Sequence, residues 1–240
     1  MLFLGAVFVV AVLSGATASV AGFGIGSLLT PLIAMRLGMT TAIAAVAVPH
    51  ALATALRCWR LRQHIDGETL RSFGMLSAAG ALAGALLYTR FSNRSLALIL
   101  AALLIATGVA VLTDWSRRWH PRGVAAGAFG LTSGLFGGIA GNQGGLRAAA
   151  LLAFPLTPLA FVATSTATGL MVDAARMPIY LWRAGSTLSP HLDVIAVASI
   201  GVLAGTLLGE RMLLGLSVRH FRQAVAGCVT LLGIWMLARL

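Results

Sequence analysis

The composition of this 240-residue chain excludes a water-soluble fold, because 59% of its residues are hydrophobic, only 10% are charged, and the mean hydropathy is +0.94. Its net charge of +11 comes from 17 basic residues against 6 acidic ones, and every basic residue is an arginine. The arginines sit mainly in short loops between apolar runs, a pattern that orients membrane proteins and argues against a nucleic-acid partner.

The apolar runs predict ten helical segments and no strands, with five segments in each half of one membrane domain that covers residues 1–240. The first segment has the apolar core of a signal peptide but lacks a basic start, and we interpret it as a membrane helix. In chain order, the predicted segments are residues 2–20, 27–35, 40–57, 70–89, 95–113, 123–140, 146–154, 157–182, 191–210 and 220–238.

The first two segments are too long to form one straight helix across a bilayer. Residues 2–35 would span roughly 50 Å at about 1.5 Å per residue, whereas the hydrocarbon core of a bilayer is about 30 Å thick. We therefore predict a break at Gly22, Gly24 and Gly26, after which Pro31 limits how the helix resumes. The first half thus opens with a glycine-broken helix hairpin.

The third segment contains two polar side chains of interest, His50 and Arg57. A histidine titrates near physiological pH, so His50 is a candidate for coupling or gating, together with Arg57. The alternative for His50 is a hydrogen-bonded packing residue without such a role.

The fourth segment supplies the clearest internal match in the chain. AAGALAGALLYTR (Ala78–Arg90) corresponds to SIGVLAGTLLGER (Ser199–Arg211) at a shift of 121 positions, close to half of the chain length. We therefore predict two homologous halves, with a first repeat at residues 1–116 and a second repeat at residues 122–240.

The arrangement of the two repeats is predicted to be inverted. If the opening pair of each half enters and leaves by one face, each half crosses the membrane an odd number of times. The inverted arrangement places ten arginines in the cytoplasm and five outside, whereas a parallel repeat gives nine and six. The predicted cytoplasmic arginines are Arg57, Arg60, Arg62, Arg71, Arg117, Arg118, Arg122, Arg211, Arg219 and Arg222.

The second half opens with the most informative polar stretch, Ser133–Phe154, which contains six glycines together with Asn142, Gln143 and Arg147. Irregular backbone at membrane depth is stable only where protein or a water-filled cavity surrounds it. The alternative is that the glycines only allow close helix packing, while Arg147 snorkels to the membrane interface.

We predict that a short helix restarts after Gly144 and Gly145 and aims its free N–H groups and positive dipole end at a cavity. Such a helix start, next to polar side chains, is typical of an anion site. The predicted substrate-binding residues are Gly22, Gly24, Gly26, Asn142, Gln143, Gly144, Gly145, Arg147 and Arg176.

The polar stretch Thr164–Arg183 places Asp173 and Arg176 three residues apart on one helix face. One interpretation is a structural ion pair. The other is that Asp173 binds a proton or steers Arg176 toward a substrate, because charges within a span are costly and usually face the bundle interior. Both interpretations stay open, and Asp173 joins His50 and Arg57 as a candidate coupling or gating residue.

These glycine-rich stretches resemble those of the sulfite exporter TauE/SafE family over essentially the whole chain. GFGIGSLLTPLI (Gly22–Ile33) is similar to the first motif of that family. GLFGGIAGNQGGLRAAALL (Gly134–Leu152) and ATSTATGLMVDAARMPIY (Ala163–Tyr180) are similar to its second-half signature. The resemblance implies transport of small sulfur oxyanions or organosulfonates, such as sulfite, sulfoacetate or taurine-related compounds, in either direction.

The leading hypothesis for function is secondary transport of a small anion, because the chain has no GxxxxGK[ST] motif and no soluble domain that hydrolyses ATP. An anion channel is the closer alternative, since the same glycine breaks can frame a pore. An intramembrane enzyme would use His50 with Ser133 or Ser165, but the sequence has no GxSxG or HExxH motif.

We expect no metal and no other cofactor, because Cys58 and Cys228 each stand alone without a ligand spacing. The expected partners are a small anionic substrate and the lipid bilayer. The expected location is the inner membrane of a bacterium, as a multi-pass protein. The oligomeric state stays open, with a homodimer among the alternatives.

Overall fold

The computed structural model describes residues 1–113, 123–151, 154–212 and 218–240. Within these residues the chain is helical and contains no strand. The first half contains helices α1 (Leu2–Ala21), α2 (Ile25–Leu37), α3 (Met39–Leu61), α4 (Gly67–Thr69), α5 (Met75–Leu87) and α6 (Asn93–Leu112). The second half contains helices α7 (Val124–Ala140), α8 (Gly144–Leu151), α9 (Pro158–Leu188), α10 (Leu192–Met212) and α11 (Val218–Ala238).

Five helical stretches of the described chain are long and apolar enough to cross a membrane, which confirms the prediction of an all-α polytopic membrane protein. They are Leu2–Val20, Met39–His64, Gly67–Arg90, Asn93–Leu112 and Leu159–Gly209. The last stretch is 51 residues long and covers nearly all of α9 and α10.

The two helix breaks differ in detail from the prediction. Helix α2 begins at Ile25, so Gly26 lies inside a helix, and α8 begins at Gly144 instead of restarting after Gly145. The physical reason is that Gly22 and Gly141 take the turn themselves, in the left-handed region at φ 82° and φ 72°. The next helix can therefore start within three residues of each of these glycines.

Two further boundaries also differ from the predicted segments. Helix α9 continues past the predicted end at residue 182 to Leu188, because Arg183 does not end a helix and the first proline after it is Pro190, in the turn Ser189–His191. The predicted segment 70–89 contains a π-helical turn at Leu70–Gly74 before α5 begins.

The predicted distribution of arginines between the two membrane faces stays a prediction, because six of them fall outside the described part of the structure. These are the loop residues Arg117, Arg118 and Arg122 and the side chains of Arg211, Arg219 and Arg222.

The main helix contacts join one half of the chain to the other. Helix α1 packs along α10, α5 along α7, α6 along α11 and α3 along α9. Glycines allow the backbones to approach closely: Gly15 lies against the carbonyl of Val202, and Gly80 lies against the carbonyl of Leu131. The two halves therefore share one interior instead of forming two separate bundles.

The loop after α3 is docked onto the second half. The backbone N–H of Asp66 donates to Thr164 Oγ1 of α9 at 2.9 Å, and the Asp66 carboxylate caps α4 by accepting from the N–H of Thr69 at 2.8 Å. The hydrogen bonds from Thr69 lower the pKa of the Asp66 carboxyl below its usual value. The loop thereby fixes the start of α9, which carries several of the candidate site residues.

Candidate functional site

A narrow pocket lies where the two helix breaks meet. Gly26, next to the first break, packs against the carbonyl of Gly141, and Gly144, at the second break, lies against Phe23. Ten of the twelve predicted site residues line this pocket, so side chains from distant parts of the sequence come together there. These ten residues are Gly22, Gly24, Gly26, His50, Arg57, Asn142, Gln143, Gly144, Arg147 and Arg176.

The other two predicted residues lie behind the lining. Gly145 packs against the side chain of Thr107 on α6, so its contribution is to helix packing. Asp173 is fully buried and contacts His50 and Arg176, both of which line the pocket. Asp173 therefore contacts the pocket lining through its two neighbours and does not line the pocket itself.

The pocket has a volume of about 20 Å³. On the same measure a cavity needs roughly 10–15 Å³ to hold one water molecule. Its lining is largely polar, since it combines backbone at the two breaks with arginine, amide and imidazole side chains. In this conformation the space admits water-sized groups, and a larger solute requires the two breaks to separate.

Two arginines tie the pocket to the ends of helices in the same way. Arg57 Nη1 of α3 donates to the carbonyl of Ala18 at 2.5 Å, and Arg176 Nη1 of α9 donates to the carbonyl of Gly137 at 2.6 Å. Each acceptor lies 39 residues before its arginine and also accepts the N–H of the left-handed glycine that ends its helix. Both halves therefore position a buried guanidinium at the break by one shared device.

The third arginine, Arg147, is bonded differently. Its Nε donates to Ser165 Oγ at 3.1 Å, while its Nη1 is buried without a hydrogen-bond partner among the described residues. Both polar atoms of the Gln143 amide are buried and unpartnered as well, whereas Asn142 Nδ2 donates to Ser27 Oγ at 3.1 Å. Buried donors that protein does not satisfy are costly, so a bound polar ligand would remove that cost.

Asp173 forms the ion pair that its spacing predicted. Its Oδ1 accepts from Arg176 Nε at 3.1 Å and from Arg176 Nη2 at 2.8 Å. Its Oδ2 lies 2.7 Å from Nδ1 of His50. The structural ion pair is therefore present, and the proton-site interpretation of Asp173 now includes His50.

Sequence reasoning missed the contact between His50 and Asp173. The two residues are 123 positions apart, close to the shift of 121 that relates the halves, and they lie in the corresponding helices α3 and α9. The repeat shift is the sequence signal from which this contact can be found, because it pairs His50 with the region of Asp173. Sequence reasoning also missed Tyr180, whose hydroxyl donates to the carbonyl of Gly138 and whose ring packs on Tyr88 with centroids 4.7 Å apart.

The geometry does not assemble the serine and histidine of the enzyme alternative. His50 contacts Asp173 and Thr54, and Ser165 accepts a hydrogen bond from Arg147. Among the described residues, no group of three His, Cys, Asp or Glu side chains lies close enough to hold a metal ion.

Comparison with known proteins matches a family model to almost the whole chain. The family model described as Sulfite exporter TauE/SafE matches residues 7–236. Neither a curated protein nor a solved structure matches the chain. The matched range includes both helix breaks and every residue that lines the pocket.

Proposed function

The chain belongs to the sulfite exporter TauE/SafE family, as its motifs predicted, and on that premise we propose that it is a secondary transporter that binds a small anion between its two helix breaks. Members of the family are membrane transporters and not enzymes, so the enzyme alternative is excluded. The family name points to sulfite as the substrate and to export as the direction. We propose a sulfur oxyanion or an organosulfonate as the substrate class.

The observation that carries this proposal is a set of buried, unpartnered polar atoms on residues that line the pocket. Arg147 Nη1 and the Gln143 amide are buried without a hydrogen-bond partner among the described residues. A guanidinium stays charged when buried, and its forked donors match the oxygens of a sulfite or a sulfonate. A small oxyanion would therefore accept hydrogen bonds from Arg147 Nη1 and Gln143 Nε2, the two donors of this set that the protein leaves open.

Helix starts support the same ligand. Helix α2 begins at Ile25 and α8 begins at Gly144, and both starts lie at the pocket. The first N–H groups of a helix have no partner within it, and the helix dipole places partial positive charge there. Two helix starts beside Arg57, Arg147 and Arg176 favour an anion over a neutral or cationic solute.

We propose that residues 1–116 and 122–240 are inverted repeats, each opening with a glycine-broken hairpin. The directions of corresponding helices favour inversion. Gly108 of α6 lies against Ala226 of α11, whereas Gly233, later in α11, lies against Ala101, earlier in α6, so the two helices run in opposite directions. An axis in the membrane plane between the repeats produces antiparallel counterparts, whereas a parallel repeat produces parallel ones.

The width of the pocket favours a carrier over a channel. A pocket of about 20 Å³ between packed helix breaks is little larger than the space for one water molecule, whereas an open channel requires a continuous aqueous path. Alternating access of one site is the usual mechanism of transporters with inverted repeats.

We further propose that the protein lies in the inner membrane of a bacterium, with a homodimer as one assembly to be tested.

Ligand binding by the purified chain tests the site. We expect sulfite or methanesulfonate to raise the melting temperature, and Arg147→Lys, which keeps the charge but loses the fork, to weaken affinity about 10-fold or more. Arg183→Lys is the matched control, because Arg183 is exposed and stacks on Trp182.

Two outcomes would overturn the site assignment. One is normal affinity in a well-folded Arg147→Ala variant. The other is normal affinity in a well-folded double variant that carries Asn142→Ala and Gln143→Ala. Saturable flux with one-for-one exchange in proteoliposomes would support a carrier, while non-saturating flux would favour the channel alternative.

A further inference from the structure

His50 and Asp173 connect the two halves at the edge of the pocket. His50 Nδ1 of α3 lies 2.7 Å from Asp173 Oδ2 of α9, and the other carboxylate oxygen accepts two hydrogen bonds from Arg176. Arg176 stays ionised when buried, so it balances the charge of the carboxylate. Asp173 is thus fully engaged by its neighbours, and His50 is the member of the group that remains able to change its charge.

Only the histidine of this pair faces the pocket. The His50 side chain is 17% exposed and lines the pocket, whereas the Asp173 side chain is 1% exposed and lies behind it. Because Nδ1 is directed at Asp173, Nε2 is the ring nitrogen that remains for a proton from pocket water. The carboxylate fixes the ring orientation and stabilises an imidazolium when one forms.

The charges around His50 come from four residues on three helices. Asp173 and Arg176 face it from α9, Arg147 faces it from α8, and Arg57 lies two turns further along α3. Helix α2 also packs against α3, and the described residues of α1 and α2 add no titratable side chain to the pocket lining. The charged residues Arg94 of α6 and Asp193 of α10 are exposed at the starts of their helices.

We propose that His50 is the proton site of the carrier, so that an anion and a proton occupy the pocket together and cross together. The inference rests on the proposed anion site and adds the ion that accompanies the substrate. The proton binds Nε2 from water on one side of the membrane and returns to water on the other side. No other bond is made or broken.

Electrostatics links the two binding events. An imidazolium at His50 is repelled by the nearby guanidinium groups and attracted by Asp173 alone, and a bound anion adds a second attraction. The anion therefore favours the proton, and by linkage the proton favours the anion to the same degree. Couplings of this kind typically change affinity about 5- to 150-fold.

The test compares the wild type with His50→Asn, whose amide can keep a donor near the position of Nδ1 but has no titratable nitrogen. Proton uptake on saturation with sodium sulfite is measured in weakly buffered detergent solution. We expect the wild type to take up about one proton more per anion than the variant. Sulfite itself also exchanges protons with the solution. Subtracting the proton uptake of the variant from that of the wild type removes this contribution. As the pH rises from about 6 to about 8, the sulfite affinity of the wild type should fall at least about 5-fold more than the sulfite affinity of the variant.

His64→Asn is the matched control, because His64 is exposed in the turn after α3 and should give wild-type proton uptake. If His50→Asn does not fold, spectra of ¹⁵N-histidine in the wild-type protein decide the matter. Added sulfite should convert one histidine to its imidazolium signature. Spectra in which no histidine changes would overturn the proposal.

The failure of this inference can be told apart from the failure of the anion site. Equal proton uptake by the wild type and by a His50→Asn variant that binds sulfite would overturn the proton site and leave the anion site standing. Absence of binding of sulfite and of methanesulfonate to the wild type would overturn both.

Discussion

The first helix break supplies mainly backbone to the pocket, whereas the second supplies polar side chains. Phe23 and Gly24 follow the left-handed Gly22, where Asn142 and Gln143 follow the left-handed Gly141. Both breaks keep the same turn and the same arginine tie to the preceding helix. The comparison teaches that two halves can keep one backbone device while most of the polar side chains at the pocket come from one of them.

The halves also differ by about one helical turn. Gly205 packs on Val12 and Gly84 packs on Leu135, yet Gly22 follows Val12 by ten residues while Gly141 follows Leu135 by six. The arginines differ in the same direction, since Arg57 follows His50 by seven residues while Arg176 follows Asp173 by three. Four residues are about one turn of helix. The position of each arginine along its helix is therefore shifted by the same amount as the position of the helix break that it contacts.

The largest effect is expected from breaking the charge pair of the second half. Asp173→Asn leaves Arg176 buried without its carboxylate and should lower the free energy of unfolding by about 3–5 kcal/mol. Melting in detergent measures the loss. Adding Arg176→Met should restore much of the stability, because the uncompensated charge is then gone. An Asp173→Asn variant with normal stability and no transport would contradict a structural role for the pair.

Equal effects are expected where the halves are alike. Gly84→Ala and Gly205→Ala each place a methyl group against a backbone carbonyl of the facing helix and should each cost about 1–3 kcal/mol. Gly227→Ala is the control, because a methyl group there meets open space and should raise stability by about 0.5–1 kcal/mol. Unequal losses at the two packing glycines would show that the two interfaces are not equivalent.

Opposite effects on binding and stability are expected at Gln143. Gln143→Leu removes amide atoms that lack a protein partner, so stability should be unchanged or higher. Sulfite affinity should fall roughly 2- to 10-fold, as expected for the loss of one neutral hydrogen bond. Phe73→Leu, in the core away from the pocket, should show the reverse, with normal affinity and a lower melting temperature. Normal sulfite affinity in Gln143→Leu would argue against a polar contribution from the second break.

The smallest effect on stability, and the sharpest test of inversion, is expected from cysteine labelling. Single cysteines at Arg60 and Arg183, in a background without Cys58 and Cys228, replace exposed side chains and should change stability by less than about 0.5 kcal/mol. An impermeant thiol reagent should label them from opposite sides of the membrane. Labelling of both from one side would make the repeats parallel.

Much of the helical order and the position of the breaks follow from the sequence, because apolar length and glycine clusters act locally. The starts of α2 and α8 were misplaced, since the turn is made by one left-handed glycine and does not need the whole cluster. The contact between His50 and Asp173 was missed for a different reason. It depends on how α3 packs on α9, which no local pattern in either helix specifies.

Pairing across the halves has a consequence for how the chain is made. Helix α1 packs mainly on α10, so during synthesis it enters the bilayer long before the ribosome has produced its partner. Its hydroxyl groups have acceptors within the helix during this interval, because Ser14, Thr17 and Ser19 each reach a carbonyl of the preceding turn. In the completed fold Ser19 also reaches the carbonyl of Thr206 on α10. A helix that satisfies its own polar groups can remain alone among lipids until translation of the second half completes the fold.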